Sequence, residues 1–237
     1  MAFIHGKSTK IFLNATDFST YFSSADSTRT VDVAESTTFG NSNKTYIVGN
    51  KDGTISLAGF FDATADAVLQ PLLGGTSALL TIGVDGADAT DLVRFGNGNF
   101  TSYGVSSPVG DIVATSLDFQ SDKGIYDGNV LESATYTSTT TGTARDNGAA
   151  TANGGAGFLI ITAASGTSSP TATVKIQHSA DNSTYADLFT FTAATGVTSE
   201  IKYVDEGTTV NRYLKIVATI SGTNPSFSAI VGFGRNK

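Results

Sequence analysis

The chain has 237 residues, a mass of 24.4 kDa and no cysteine, so it can form neither a disulfide framework nor a thiolate metal site. A hydrophobic fraction of 40% with 26 glycines is typical of a chain that folds around a core, which excludes a wholly disordered protein. Charged residues make up only 15% of the chain, whereas Ser and Thr together number 60. A surface of this kind favours strands and turns over long solvated helices.

Charge is distributed unevenly along the chain. Residues 1–138 hold 15 Asp/Glu against 7 Lys/Arg, a net charge of −8, whereas residues 139–237 hold 6 against 7, a net charge of +1. This difference favours two modules in different surroundings. No stretch gathers Lys and Arg, so the sequence disfavours nucleic-acid binding through phosphate contacts. The start of the chain lacks the pattern of a secretory signal, and no apolar run approaches the roughly 20 residues of a membrane span. We therefore expect a soluble protein.

The first module, residues 1–138, is predicted to be mostly β. Its strand-like segments are residues 9–13, 27–33, 46–48, 54–61, 78–84, 91–95, 100–105, 112–120 and 129–137. Residues 96–99, Gly-Asn-Gly-Asn, are predicted to form a hairpin turn.

One short helix is predicted at about residues 63–73. Asp62 or Thr64 can cap its first turn, Pro71 disfavours regular helix at Gln70, and the pair of glycines at 74 and 75 ends it. Its predicted buried face comprises Ala65, Val68, Leu69 and Leu72.

A polar stretch between two of these strands is predicted to be a long hairpin loop or an extended arm. It comprises Glu35, Ser36, Thr37, Thr38, Phe39, Gly40, Asn41, Ser42 and Asn43.

Residues 139–156 contain no large apolar side chain and are predicted to be a linker. The second module, residues 157–237, has six short strand-like segments, at residues 158–162, 173–178, 187–191, 199–204, 213–220 and 227–233. Short strands at this spacing favour an immunoglobulin-like or jelly-roll-like β-sandwich. The triplet Ser-Gly-Thr occurs at residues 165–167 and again at 221–223, which indicates equivalent corners between strands.

Few residues suggest catalysis or metal binding. The two histidines lie at position 5 and at the end of a predicted strand, position 178, and no known nucleophile, zinc or phosphate-loop motif occurs. Asp85, Asp88 and Asp91 are spaced like calcium ligands, but the glycine and the glutamate that an EF-hand requires are missing. We therefore predict no catalytic, cofactor-binding or metal-binding residue and no enzymatic activity. Glycan binding by the second module is a rival hypothesis, which the absence of Trp disfavours.

Two groups of segments resemble a known protein family. Val31-Asp-Val-Ala-Glu-Ser-Thr-Thr-Phe-Gly40, Lys44-Thr-Tyr-Ile-Val-Gly49 and Thr54-Ile-Ser-Leu-Ala-Gly-Phe-Phe-Asp62 resemble the major tail, or tail tube, proteins of long-tailed bacteriophages. Val174-Lys-Ile-Gln-His-Ser179, Asp187-Leu-Phe-Thr-Phe191, Asn211-Arg-Tyr-Leu-Lys215 and Gly232-Phe-Gly234 are similar to an accessory C-terminal β-sandwich of some of these proteins.

The resemblance implies a virion structural protein. Such a protein has a β-sandwich or barrel with one flanking helix, and it assembles into rings, usually of six subunits, stacked as a hollow tube through which DNA passes. Loops such as residues 35–43 would join successive rings, and residues 157–237 would project outward. The implied partners are other copies of the chain and the tape measure, terminator and distal tail proteins. DNA would pass without specific binding, because an acidic wall repels phosphate. No membrane partner is implied, and assembly would take place in the host cytoplasm. A different neck, tail or capsid-decorating protein, or a monomeric glycan-binding adhesin module, remains an alternative.

Overall fold

A computed structural model gives the structure of residues 5–236. Residues 1–4 and 237, which the predicted domains include, lie outside it. The strands of the described chain are β1 (Lys10–Leu13), β2 (Thr16–Asp17), β3 (Phe22–Glu35), β4 (Tyr46–Phe60), β5 (Ala78–Gly83), β6 (Leu92–Ser106), β7 (Ala114–Ser121), β8 (Tyr126–Tyr136), β9 (Thr140–Thr141), β10 (Arg145–Asp146), β11 (Gly155–Ser179), β12 (Ala186–Thr190), β13 (Thr198–Val204) and β14 (Tyr213–Arg235). The helix α1 (Ala63–Leu69) continues into a 3-10 turn at Gln70–Leu72, and a second 3-10 turn lies at Gly6–Ser8. The expectation of a mainly β fold with one short helix is confirmed.

Two compact units make up the chain. Within the described residues, one comprises residues 5–19, 79–95 and 126–236, and the other comprises residues 20–78 and 96–125. We call the second of these the arm unit. These limits differ from those of the predicted domains, and separate folding of residues 1–138 and 157–237 stays a prediction.

The arm unit is built on a four-stranded antiparallel sheet in the order β3-β4-β7-β6. Its strands alternate, because every second residue is buried along β7 and along β4 from Gly53 onward, including Ile55 and Leu57 on β4 and Leu117 and Phe119 on β7. This period of two places one face on the core and leaves the other face in solvent.

Helix α1 begins where the sequence predicts it. The Asp62 carboxylate accepts hydrogen bonds from the backbone N–H of Thr64 (2.8 Å) and Ala65 (3.1 Å), which caps the first turn. Ala65 and Leu69 are buried as predicted, but Val68 is 45% exposed. The prediction that Val68 is buried is wrong. The buried side of this seven-residue helix comprises only Ala65 and Leu69, which are four residues apart, and Val68 lies beside this narrow stripe.

The other unit contains two long strands that pair antiparallel over most of their length, β11 and β14. β11 also pairs with β12 and β13, and β14 pairs with β8, β9 and β10. Its largest apolar cluster is formed by residues such as Leu159, Val174, Ile216, Phe227 and Val231.

Several predicted strands prove to be halves of longer ones. β4, β6, β11 and β14 each contain two predicted segments. The hairpin turn predicted at residues 96–99 is therefore wrong, since these residues lie inside β6. A Cβ at Gly98 would lie 2.1 Å from the Gln120 carbonyl oxygen, so this glycine permits close backbone approach and does not form a turn.

The two Ser-Gly-Thr triplets mark a bend that β11 and β14 share. Gly166 and Gly222 have φ of +139° and +103°, and Thr167 pairs with Thr223 across the bend. The predicted corners therefore lie within continuous strands.

Residues 139–156 are mostly paired with the chain. β9 and β10 lie along β14, and Thr151 bridges to Val210. Arg212 donates two hydrogen bonds to Asp146, at 2.9 and 2.6 Å. The stretch lacks large apolar residues because its contacts are made by the backbone and by polar side chains.

Candidate assembly surfaces

The solvent-facing side of the arm-unit sheet is polar and acidic. Strand register places three rows of side chains across the four strands. We call this surface the outer face, and it comprises Thr28, Thr54, Gln120 and Asn99, then Asp26, Ser56, Asp118 and Ser102, then Ser24, Ala58, Ser116 and Gly104. None of these twelve residues is Lys or Arg.

Asp118 lies at the centre of the outer face and joins three strands. Its carboxylate accepts hydrogen bonds from the hydroxyls of Ser56 on β4 (2.7 Å) and Ser102 on β6 (2.6 Å). These bonds, the one from Ser102 first, lower the pKa of Asp118 below its ordinary value. The central carboxylate therefore stays charged and fixed in place at neutral pH.

Two further hydrogen bonds involve residues of the outer face. The Gln120 amide on β7 donates to Asp52 on β4 (2.6 Å), which ties these two strands together, and the Ser24 hydroxyl donates to Asp26 within β3 (2.8 Å). The outer face thus presents carboxylates and small hydroxyl side chains on a sheet whose opposite side is a packed core.

Both edges of this sheet lie open to pairing. Among residues 5–236, β3 pairs with β4 alone. On β6, Phe100 forms an isolated bridge with Leu73. The residues that follow it, 101–106, pair only with β7 within the described residues. Edge strands present a row of backbone donors and acceptors to a further strand.

The nine residues of the predicted loop lie at the end of a projecting hairpin. β3 and β4 pair from Phe22 and Gly59 to Glu35 and Tyr46, and we call residues 29–51 the arm. Every arm residue is exposed except Ser36, which is half-buried. Residues 36–45 form the loop of this hairpin, as one of the two predicted alternatives has it, and the paired strands on either side extend the loop into an arm.

Hydrogen bonds within the arm hold its tip closed. Ser36 N–H donates to the Thr45 carbonyl (2.8 Å), and Thr45 N–H donates to the Thr37 hydroxyl (3.1 Å). Lys44 forms an ion pair with Glu35 at 2.9 Å. At the turn, Gly40 has φ of +93°, which only glycine adopts without strain.

The arm carries apolar side chains that sequence reasoning did not single out. Val31, Val33, Phe39, Tyr46, Ile47 and Val48 are all exposed. Phe39 is fully exposed at the tip, and Val33 lies opposite Val48. The alternation of apolar residues was visible in the sequence, but it reads equally as a half-buried strand. Large exposed apolar surface is typical of a contact site.

Residues that suggested catalysis or metal binding have structural roles. The ring of His178 accepts a hydrogen bond from Asn211 N–H at 3.3 Å, and burial lowers the pKa of this imidazole. Asp85 and Asp91 accept hydrogen bonds from the backbone N–H of Leu92 (2.9 Å) and Asp88 (2.8 Å). Within residues 5–236, no group of three or more acidic or histidine side chains could hold a metal ion.

A cleft of about 490 Å³ in the other unit is lined by Arg94, Asp127, Asp146 and Arg235, among others. Arg94 forms an ion pair with Asp127 at 3.1 Å, and Arg235 donates to backbone carbonyls, including that of Val210 at 2.6 Å. With Asp146 paired to Arg212, the charged groups of this cleft are engaged within the protein.

No helix among the described residues is long and apolar enough to cross a membrane.

Comparison with known proteins gives similarity at the level of structure only. No protein-family model and no curated protein sequence matches the chain. The structure is similar to a chain from the virion of a native gene transfer agent particle, with 15% identity over 51% of this chain and 95% of that chain and a TM-score of 0.42.

Two further similarities are to proteins of the phage SPP1. The Dit protein, described as a hub adsorption apparatus in phages that infect Gram-positive bacteria, has 11% identity over 97% of this chain and 99% of that chain, with a TM-score of 0.41. The SPP1 tail tube has 14% identity over 54% of this chain and 81% of that chain, with a TM-score of 0.43. The chain is thus similar to phage tail and virion proteins, at TM-scores too low to argue function.

Proposed function

We propose that this chain is a structural subunit of a phage tail tube, without enzymatic activity, and that it acts by assembling with copies of itself. The outer face is the observation that carries this proposal. It is a solvent-facing sheet surface with Asp26 and Asp118 among small hydroxyl side chains and without Lys or Arg. The family resemblance of segments within residues 31–62 supports the same function.

The outer face has the chemistry that a DNA conduit requires. Proteins that hold DNA place Lys or Arg on phosphates, and the released counterions supply much of the affinity. Carboxylates repel phosphate, and short hydroxyl side chains leave no projections into a channel. We therefore infer that the outer face lines the lumen.

The open edges of the sheet explain how a ring could close. β3 of one copy can pair with residues 101–106 of β6 of the next, which joins the four-stranded sheets around an axis. Six copies, the number that the resemblance implies, would give about 24 strands. At about 4.8 Å per strand, their circumference is about 115 Å and the channel is about 37 Å across between backbones before strand tilt.

The arm would then join successive rings. It projects beyond the body of the sheet and carries apolar side chains that nothing covers within the described chain. We infer that the arm, including residues 35–43, makes the ring-to-ring contact. The tape measure, terminator and distal tail proteins are the further partners that a tail tube requires, and the tail of the virion is the proposed location.

Electron microscopy of the purified full chain, together with its mass in solution, tests this function. We expect rings or hollow tubes, with a mass that is a multiple of the subunit mass. A monodisperse monomer at micromolar concentration, without rings on the grid, would contradict the proposal and favour the alternative of a monomeric binding module.

A further inference from the structure

Exposed apolar side chains are concentrated at the two ends of the arm-unit sheet. The described residues include fifteen large hydrophobic residues that are exposed, and six of these lie on the arm. Five more lie at the opposite end of the sheet. We call this second group the base patch, and it comprises Phe60, Phe61, Val105, Val109 and Ile112.

Strand pairing places the residues of the base patch at the same end of the sheet. Phe60, the last residue of β4, pairs with Ala114 on β7, and Ala114 pairs with Ser106 on β6. Phe61 N–H donates to the Val113 carbonyl at 2.9 Å. The patch is therefore formed by the ends of β4 and β6 and by the connection between β6 and β7.

The members of the base patch are not part of the core. Val109 is fully exposed and Ile112 is 63% exposed. Single exposed apolar residues are common on protein surfaces, but a group of five on adjacent segments is typical of an interaction site.

The arm and the base patch of one chain cannot meet. Both belong to the same strand, since β4 runs from Tyr46 on the arm to Phe60 at the base. Fourteen steps at about 3.3 Å separate these two residues by about 46 Å. A contact between the two surfaces therefore requires a second copy of the chain.

We propose that the base patch is the receptor for the arm of a second copy, so that copies stack head to tail along the strand direction. This inference rests on the proposed function and names the surface that receives the arm. A second copy of the chain is the partner that binds the base patch, because the arm and the base patch lie at opposite ends of one sheet. A contact between two different surfaces leaves one arm and one base patch free, so it repeats without closing, as tube growth requires.

Charge supports the same pairing. The arm, residues 29–51, carries Arg29, Lys44 and Lys51 against Asp32 and Glu35, a net charge of +1. The segments that form the base patch, residues 59–62 and 104–114, carry Asp62 and Asp111 and no Lys or Arg, a net charge of −2. Opposite net charges favour the contact of arm with base over the contact of arm with arm.

Two single substitutions in the full chain test the proposal. Ile112→Asp damages the base patch and keeps the arm, whereas Phe39→Asp damages the arm and keeps the base patch. We expect each variant alone to form rings that do not stack, because each lacks one half of the contact. The matched control is Val197→Asp, which replaces a 58% exposed valine of the other unit and should leave tube length unchanged.

A mixture of the two variants gives the sharpest result. The intact arm of the Ile112→Asp ring can occupy the intact base patch of the Phe39→Asp ring, and the two remaining surfaces are both damaged. We expect stacks of two rings and no longer tubes, by electron microscopy and analytical ultracentrifugation. Val109→Asp, in an open connection, repeats the test if Ile112→Asp does not fold by circular dichroism.

Three outcomes would overturn the proposal. Wild-type-length tubes from both base-patch variants would show that the patch takes no part, while the proposed function would stand. Closed pairs of rings formed by Ile112→Asp alone would show that arms contact arms. Long tubes from the mixture would show that the contact lies elsewhere. Wild-type protein that forms neither rings nor tubes would instead contradict the proposed function itself.

Discussion

Asp118 is the single residue that connects the strands at the centre of the outer face. It lies on β7 and accepts hydroxyl hydrogen bonds from both neighbouring strands. Because it is exposed, water screens its charge, and each bond contributes modestly to stability. Its main effect is to keep three strands in register and to present a fixed negative charge.

Replacing both donors, in the variant Ser56→Ala/Ser102→Ala, should lower the free energy of unfolding by about 1 kcal/mol at pH 7. The bonds favour the charged carboxylate and lower its folded-state pKa. The stabilisation is therefore complete above the unfolded pKa of about 3.9 and is lost as pH falls through the lower folded value. Urea denaturation from pH 7 to pH 2 measures the difference between wild type and variant. A difference that does not change with pH would exclude Asp118 as its source.

The packing of helix α1 can be tested by comparing two adjacent residues. Leu69 is 1% exposed and Val68 is 45% exposed, although they are adjacent. Leu69→Ala should lower the free energy of unfolding by about 2 to 5 kcal/mol, because it leaves a cavity. Val68→Ala, the matched control, should change it by less than about 0.5 kcal/mol. Equal losses at both positions, measured by chemical denaturation, would show that the helix packs on a wider face.

The tip of the arm, residues 36–45, can be removed without changing the core of the sheet. Replacing residues 36–45 by Asn-Gly joins Glu35 to Tyr46, which are paired across the hairpin, through a two-residue turn that suits two antiparallel strands. We expect unchanged circular dichroism and intact rings, but no tubes, because the tip with Phe39 is lost. Normal tubes from this variant, seen by microscopy, would remove the tip from the assembly contact.

The sequence was sufficient to predict the elements but not their continuity. The helix could be placed because the Asp62 cap and the terminal glycines are local signals. Gly98 and Gly166 look like turn residues, yet the first permits close backbone approach and the second bends a strand that continues. Both roles depend on strands that are distant in sequence, so the local sequence around each glycine does not reveal them. The apolar arm was missed for a related reason, since alternation does not reveal whether a partner covers it.

In the proposed tube, the whole molecule presents an acidic surface to DNA without binding it. The first 138 residues carry a net charge of −8, and the outer face bears no Lys or Arg. At a Debye length of about 8 to 10 Å in physiological salt, repulsion keeps phosphates off a wall without closing a wide channel.

We therefore expect the purified protein, as subunit or as tube, not to retard duplex DNA in a gel at low salt, where any electrostatic affinity is strongest. Asp26→Lys/Asp118→Lys, which reverses the charge of the outer face, should introduce retardation of free subunits. A salt-sensitive shift with wild-type protein at micromolar concentration would show that a cationic surface elsewhere on the chain binds DNA.

Chemical access to the outer face tests the proposed lumen most directly. The chain has no cysteine, so Ser116→Cys on the outer face and Val197→Cys on the other unit each introduce a single thiol at an exposed position. A bulky maleimide, too large to enter the channel, should label both thiols in the unassembled protein. In assembled tubes we expect Cys at position 197 to remain reactive and Cys at position 116 to be protected. Equal labelling of both positions in tubes would contradict a lumen lined by the outer face.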